Sequence, residues 1–309
     1  MGSSTPASGT VSATPPRAGA APRTDLARRV RIVLPVLFLG GIVALAVGAP
    51  LVAPHDPLDM RPDLALRRPG PPYWLGTDEF GRDLVSRLLY GARLSLMIAT
   101  GSVTVAALVG VAVGLVGGYY VGVWEILMMR SADLLLCIPP VLLAVAVVAF
   151  AGSAVLDLVL VIGLLYAPQF ARVVHAATVS VRQRTFVEAA RASGASDPRI
   201  LLRVILPNVL APIIVQTSVS LGFAVLLESG LSFLGLGAPP PAPTWGGMVG
   251  SGRGYMHLSP WPVLWPAITI WFTIVALNLL GDGLRDFLDP RLRGPMGPMP
   301  SGAGRLPVK

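Results

Sequence analysis

Few residues in this 309-residue chain have the type and spacing needed to make or break bonds. The three histidines, His55, His175 and His257, share no metal-ligand spacing, and no HExxH, GxSxG or paired-cysteine pattern occurs. Cys137 is the only cysteine, which excludes an internal disulfide and a thiolate cluster for metal; in its apolar surroundings it reads as a small buried residue. The only lysine is Lys309, so the sequence contains no GxxxxGK[ST] phosphate loop, and any ATP that drives this protein is expected to bind elsewhere. The remaining chemistry is non-covalent. Residues 188–207 read EAARASGASDPRILLRVILP, a polar, arginine-bearing segment between two apolar stretches, with the character of a docking handle or of an amphipathic connecting loop.

The elements that must position this segment belong in a bilayer. Mean hydropathy is +0.69, and 53% of residues are hydrophobic against 13% charged, far from the range of soluble domains. The formal net charge of +8 does not point to nucleic acid, because the arginines are dispersed among apolar runs instead of forming one basic face with interleaved aromatics. Apolar runs at 32–53, 94–123, 127–150, 155–170, 209–236 and 262–280 predict six transmembrane helices, each set against about 30 Å of hydrocarbon. The first follows Arg28, Arg29 and Arg31 and exceeds the roughly 7–15 apolar residues of a signal peptide, so it reads as an uncleaved anchor. The expected organisation is a disordered cytoplasmic tail over 1–27, a transmembrane domain over 28–293 with the polar loop at 185–207, and a second cytoplasmic tail over 294–309.

Six spans place both termini on one side, and the distribution of arginine makes that side cytoplasmic. The N-terminal flank, the loop with Arg182, Arg184, Arg191, Arg199 and Arg203, and the tail with Arg285, Arg291 and Arg293 fall inside. Residues 239–260 hold only Arg253 and fall outside. Residues 54–93 should also lie outside, although they carry Arg61, Arg67, Arg68, Arg82, Arg87 and Arg93. Within the second span, Gly110, Gly114, Gly118 and Gly122 recur every four residues along one helix face, which allows close approach either within the bundle or at a subunit interface. Polar residues inside spans are costly and so mark a path or an interhelical bond. Gln216, Ser220, Glu228 and Asn278 are the candidates for lining a translocation path, with Ser218, Thr269 and Thr273 beside them. Glu228 has two further readings, a helix-end role or a pair with a basic group such as Arg93.

Local rules build the polar loop. Residues 185–193 favour helix, and Gly194 suits the left-handed position that ends one. Asp197 followed by Pro198 reads as an N-cap with proline in the first turn, starting a second helix that runs to Leu206. Pro207 would then bend the chain into the fifth span.

In register, Glu188, Ala189, Ala190, Gly194, Leu206 and Pro207 match EAAxxxGx9IxLP, with Val204 in the isoleucine position, and this resembles the loop of permease subunits of bacterial ABC importers. Further stretches are similar to the C-type permeases of the dipeptide, oligopeptide and nickel importers, DppC- or OppC-like. They are YWLGTDEFGRDLVSRLLYGARLSL before the second span, Arg130, Asp133 and Pro139 near the third, LSFLGLGAPPPAPTWGGM after the fifth, and NLLGDGLRDFLDPRLR near the end. His175 departs from the pattern, which often has a second arginine there after the one matched by Arg172. The resemblance implies the type I importer permease fold in the bacterial cytoplasmic membrane, and a loop that docks into a groove on a cytoplasmic ATPase. Glu188 would make a polar contact there, Ala189 and Ala190 would pack closely, and Gly194 would turn the chain. It implies a non-catalytic subunit with no cofactor of its own, ATP and Mg being bound by one or two partner ATPase chains. It also implies a homologous second permease subunit, surrounding membrane lipid, and an extracytoplasmic substrate-binding protein, which the outer loops 54–72 and 238–260 would meet. Di- or oligopeptides are the expected cargo, with nickel or another small solute as the alternative. An ion-coupled secondary transporter should carry more ionisable relay residues in mid-membrane and repeated halves, and a membrane hydrolase should carry a metal or nucleophile constellation.

Overall fold

A segment inside lipid must satisfy its own backbone donors and acceptors, and the described elements of the chain are accordingly helical. The computed structural model describes residues 25–288, apart from residue 153. The principal helices are α1 (Asp25–Val47), α2 (Leu84–Tyr119), α3 (Val123–Leu136), α4 (Pro140–Ala151), α5 (Val155–Arg182), α6 (Thr185–Ala192), α7 (Asp197–Phe233), α8 (Trp245–Gly252) and α9 (Trp261–Leu288). Four of them, α2, α5, α7 and α9, are long and apolar enough to cross a membrane. A fifth candidate is the pair α3 and α4, which meet at a 90° bend.

Several boundaries differ from the hydropathy reading. The first apolar run ends as a helix at Val47, because the chain turns at Gly48 before a separate single turn over Ala49–Val52. The third run is broken at 137–139. Consecutive prolines remove donors and disfavour helix in the residue before them, and the Pro139 carbonyl instead accepts from the Leu142 and Leu143 amides at 3.1 and 3.2 Å to start α4. Cys137 sits at this break and is exposed, which corrects the expectation of burial. The other helices continue past their apolar runs, to Leu84 at the start of α2, Arg182 at the end of α5 and Leu288 at the end of α9. Polar residues extend these helices without extending the hydropathy signal. Helix α1 begins at Asp25, inside the expected 1–27 tail; the rest of that tail and the whole of 294–309 lie outside the described residues.

Helices α2 and α5 make the most extensive pairing in the fold, and glycines let them do so. A Cβ at Gly114 would lie 2.6 Å from the Ala171 carbonyl oxygen and 2.8 Å from Val174 Cβ, and one at Gly118 would lie 2.7 Å from Thr178 Cβ. Gly110 faces Phe170 in the same way, and Gly163 on α5 returns the contact against Val105. The stripe therefore packs within the bundle. Gly122 leaves it: at φ +99° it is the residue before α3. Around this pair the main core gathers Ile98, Val103, Leu158, Ile162, Phe170, Val225 and Leu231. Trp245, at the start of α8, closes the core with no exposed surface, its indole Nε1 donating to the Leu88 carbonyl at 3.1 Å.

Ahead of α2 the TDEFGRD stretch folds into a buried charge cluster. Gly76 and Gly81 take positive φ, and at Gly81 the backbone of Arg61 lies where a side chain would be. Asp78 Oδ1 accepts from the Phe80 and Arg82 amides at 2.9 Å each. Its Oδ2 accepts from Arg82 Nε at 2.6 Å and pairs with Arg87 Nε at 3.2 Å. Glu79 adds a longer contact to Arg82 at 3.6 Å, and Arg87 reaches the Pro57 carbonyl at 3.2 Å. Asp83 caps α2 by accepting from the Ser86 amide at 3.0 Å.

Replacing Gly114 by alanine is expected to push α2 from α5 and to cost about 1–3 kcal/mol, as over-packing does. Gly117→Ala, whose new Cβ would meet Met129 Cε at an ordinary 3.4 Å, should leave stability near that of the parent. Thermal melting of the two purified variants in one detergent checks the contrast. At the charge cluster, Asp78→Ala strands two buried guanidinium groups and should cost about 3–5 kcal/mol, read as loss of folded protein from membranes. Asp59→Ala breaks only the exposed pair with Arg61 and should change stability by at most about 1 kcal/mol.

Candidate coupling site

The 185–207 loop forms the expected helix, turn and helix. Helix α6 ends in a Schellman motif: the Gly194 amide donates to the Arg191 carbonyl at 2.9 Å and the Ala195 amide to the Ala190 carbonyl at 3.1 Å. Gly194 holds φ +78° with open space where a side chain would be, so the backbone conformation alone calls for glycine. Val187 is fully buried and roots α6, while its neighbours Glu188 and Ala189 are exposed and Ala190 is half-buried. Glu188 and Ala189 therefore point away from the bundle, while Ala190 packs on the apolar cluster beneath.

Two details of the second helix differ from expectation. Asp197 makes no capping bond; Ser196 occupies the N-cap position, and Asp197 is the first helical residue with its carboxylate turned elsewhere. Pro207 does not end the helix, since residues 197–233 run as one helical segment. A π turn over Ile200–Ile205 precedes the proline, so that the Leu206 amide donates to the Leu201 carbonyl, five residues back. The Asn208 side chain then takes up the Val204 carbonyl at 2.7 Å. The widened turn accommodates a ring that would otherwise crowd the preceding carbonyls. Leu206 is half-buried beside this turn and packs on the same apolar cluster as Val204.

The Asp197 carboxylate goes to a pair of tyrosines that sequence reasoning did not single out. Tyr119 donates to Oδ1 at 2.6 Å and Tyr120 to Oδ2 at 3.2 Å. The Tyr120 phenol is pushed up from its ordinary value, by desolvation first and then by the Asp197 charge, so it stays a donor. The Arg191 guanidinium lies over the Tyr119 ring, 4.9 Å from its centroid, and Arg182 Nη1 donates to the Tyr119 carbonyl at 3.0 Å. Beneath these polar contacts a second apolar cluster, distinct from the main core, joins Leu115 and Tyr119 of α2, Val174 of α5, Val187 of α6 and Ile200, Ile205 and Val209 of α7. The only hint in the sequence was an aromatic pair directly after the glycine stripe, whose partner lies 78 residues away.

Alongside, two polar side-chain contacts join α3 to α5. His175 Nε2 lies 3.1 Å from Glu125 Oε1, and Arg172 Nε lies 3.5 Å from Asp133 Oδ1. The histidine that departs from the arginine pattern is thus engaged with a carboxylate.

The four residues expected along a path do not come together. Glu228 has no exposed surface; Ser232 donates to its Oε1 at 2.8 Å, Ser229 lies 3.4 Å from Oε2, and Arg93 is exposed. Ser220 is buried and accepts from Gln216 Nε2 at 3.0 Å. Gln216 itself is half-buried and lines a cavity of about 460 Å³ with Pro212, Val215 and Arg285. Asn278 is exposed on α9, with its amide against Gly222 of α7.

A bundle of long apolar helices thus carries an exposed helix, turn and helix, rooted in the ends of two of those helices. Residues 87–294 match the family described as binding-protein-dependent transport system inner membrane component, and the chain belongs to that family. It is similar to the dipeptide transport system permease protein DppC of Alkalihalophilus pseudofirmus, 40% identical over 84% of this chain and 85% of that one. It is also similar to the di/tripeptide transport system permease protein DppC of Pseudomonas aeruginosa, 42% identical over 84% and 87%. A third relative is the glutathione transport system permease protein GsiD of Escherichia coli, 42% identical over 84% and 86%. In fold it resembles a chain of the inward-facing MetNI methionine ABC transporter, with a TM-score of 0.55 at 18% identity over 65% of this chain and 95% of that one. The chain is an inner-membrane permease of an ABC-type importer.

Proposed function

We propose that this permease moves di- or oligopeptides and that its 185–207 loop is the handle through which a cytoplasmic ATPase moves it. The observation that carries the reading is an exposed pair on a rooted helix: Glu188 and Ala189 are free to contact a partner while Val187 fixes their orientation. Glu188 makes the polar contact, Ala189 and Ala190 allow close approach, and Gly194, Asp197, Leu206 and Pro207 hold the loop's shape. The peptide cargo rests on the relatives' names, which specify dipeptide, di/tripeptide and glutathione transport.

The subunit is a transducer without catalysis or cofactor of its own. ATP and Mg are bound by one or two partner ATPase chains, and a homologous second permease supplies the other half of the path. ATP draws the ATPases together, each docking loop carries its bundle, and the path tilts between inward-open and outward-open states in a two-state change. An extracytoplasmic binding protein delivers cargo to the outer loops 54–72 and 238–260. Six transmembrane passes with both termini cytoplasmic suit this arrangement, with α1 and the α3–α4 pair counted as one pass each. An outer position for the arginine-rich 54–93 segment follows from the agreement of the other loops and from the basic flank of the first helix, which usually dominates orientation. Gln216 and Asn278 line the path. Ser220 and Glu228, buried behind them, would join it only as the bundle tilts.

Glu188→Arg is expected to leave the permease folded, since the side chain is exposed, but to reduce co-purification of the ATPases and ATP-driven peptide uptake by about tenfold or more, the loss of about 1.4 kcal/mol at one interface. Normal association together with normal uptake would sink the docking assignment.

A further inference from the structure

Tyr119 is the last residue of α2, and it touches each of the other elements that must travel with the loop. Its carbonyl is held by Arg182 at the end of α5, its ring lies under Arg191 of α6, and its hydroxyl bonds to Asp197 at the start of α7. The Tyr120 ring stands edge-on to it at 5.0 Å and brings a second hydroxyl to the same carboxylate.

We propose that Tyr119 and Asp197 form a rigid joint that makes the docking loop move as one body with α2 and α5, and that they are positioning residues for transport. The joint deepens the docking assignment and rests on it. The apolar cluster below is attractive but non-directional, and by itself would let α6 slide or rock over Leu115 and Val174. A 2.6 Å bond from a phenol to a carboxylate fixes both distance and angle. Its phenol side is sheltered, Tyr119 being only 5% exposed, while Asp197 stands exposed at the rim. Past the joint, motion passes into α2 and α5 through close contact at Gly114 and Gly118, which have no side chain of their own to give way. A continuous stiff route thus runs from the exposed Glu188 and Ala189 into the most extensive helix pairing of the fold. Asp197 has a competing use, as an acid in the first turn of α7 favoured by the helix dipole. Serine at 197 retains a residue suited to a helix start and is too short to reach the tyrosines.

The test uses the assembled transporter, purified with its partner subunits in a Cys137→Ser background, with spin labels at Phe186→Cys on α6 and Leu108→Cys on α2, both exposed positions. Pulsed electron resonance then reads the distance between labels without nucleotide and with ATP trapped by vanadate. The expected result is one narrow distance, the same in both states, when Tyr119 and Asp197 are intact. Tyr119→Phe and Asp197→Ser should each broaden that distance and make it change between states, Tyr119→Phe with the ATPases still co-purifying. The joint is overturned if the two variants keep the parent's single distance, including the case where they only melt at lower temperature. It is equally overturned if the parent's distance changes on trapping. Failure of the docking assignment would show separately, as Glu188→Arg complexes that retain their ATPases.

Discussion

The contact on which the rest of the structure depends is the backbone approach of α2 to α5 across Gly110, Gly114 and Gly118. Lipid offers helices no hydrophobic reason to associate, so van der Waals contact over a smooth surface must supply the association. That contact does more than hold the bundle. Both helices continue beyond their apolar runs, and because they stay in register their ends, Tyr119 and Arg182, meet where the 185–207 loop begins.

The two ends of the bundle are built on different physics. Ahead of α2, charges are buried and paired: Asp78 gathers two arginines and two amides against α8 and α9, while both carboxylate oxygens of Glu79 lack a hydrogen bond. Such a cluster is costly to disturb and fixes one conformation. At the 185–207 loop, charge sits over a small apolar cluster, with polar bonds at its rim and Glu188 and Ala189 left exposed.

The chemistry of the mount depends on four residues distant in sequence. Tyr119, Arg182, Arg191 and Asp197 each have an ordinary local role, as a helix end, a helix end, a surface arginine and a helix start. Brought together they interlock, since one aromatic ring offers a hydroxyl, a π face and, through its own carbonyl, an acceptor.

The sequence by itself determined the helical class, the position of the long apolar runs, the glycine face of α2 and the helix, turn and helix at 185–207. These follow from short-range rules: hydropathy over a bilayer's thickness, a four-residue repeat, and the left-handed backbone that Gly194 alone adopts freely. Only the tertiary structure decided that the glycine face serves the α2–α5 contact, that Asp197 leaves its helix start to bind Tyr119 and Tyr120, and that a π turn carries α7 on past Pro207. It likewise decided that Glu228 is enclosed by serines, and that the third apolar run breaks at Pro139 and exposes Cys137. The reason is common to these cases. A capping preference or a proline bend is worth about 1–3 kcal/mol, and a tertiary bond to a buried phenol or a register shift of one residue in the backbone ladder is of the same size. Where local and tertiary terms are equal, partners far away in the sequence decide the outcome.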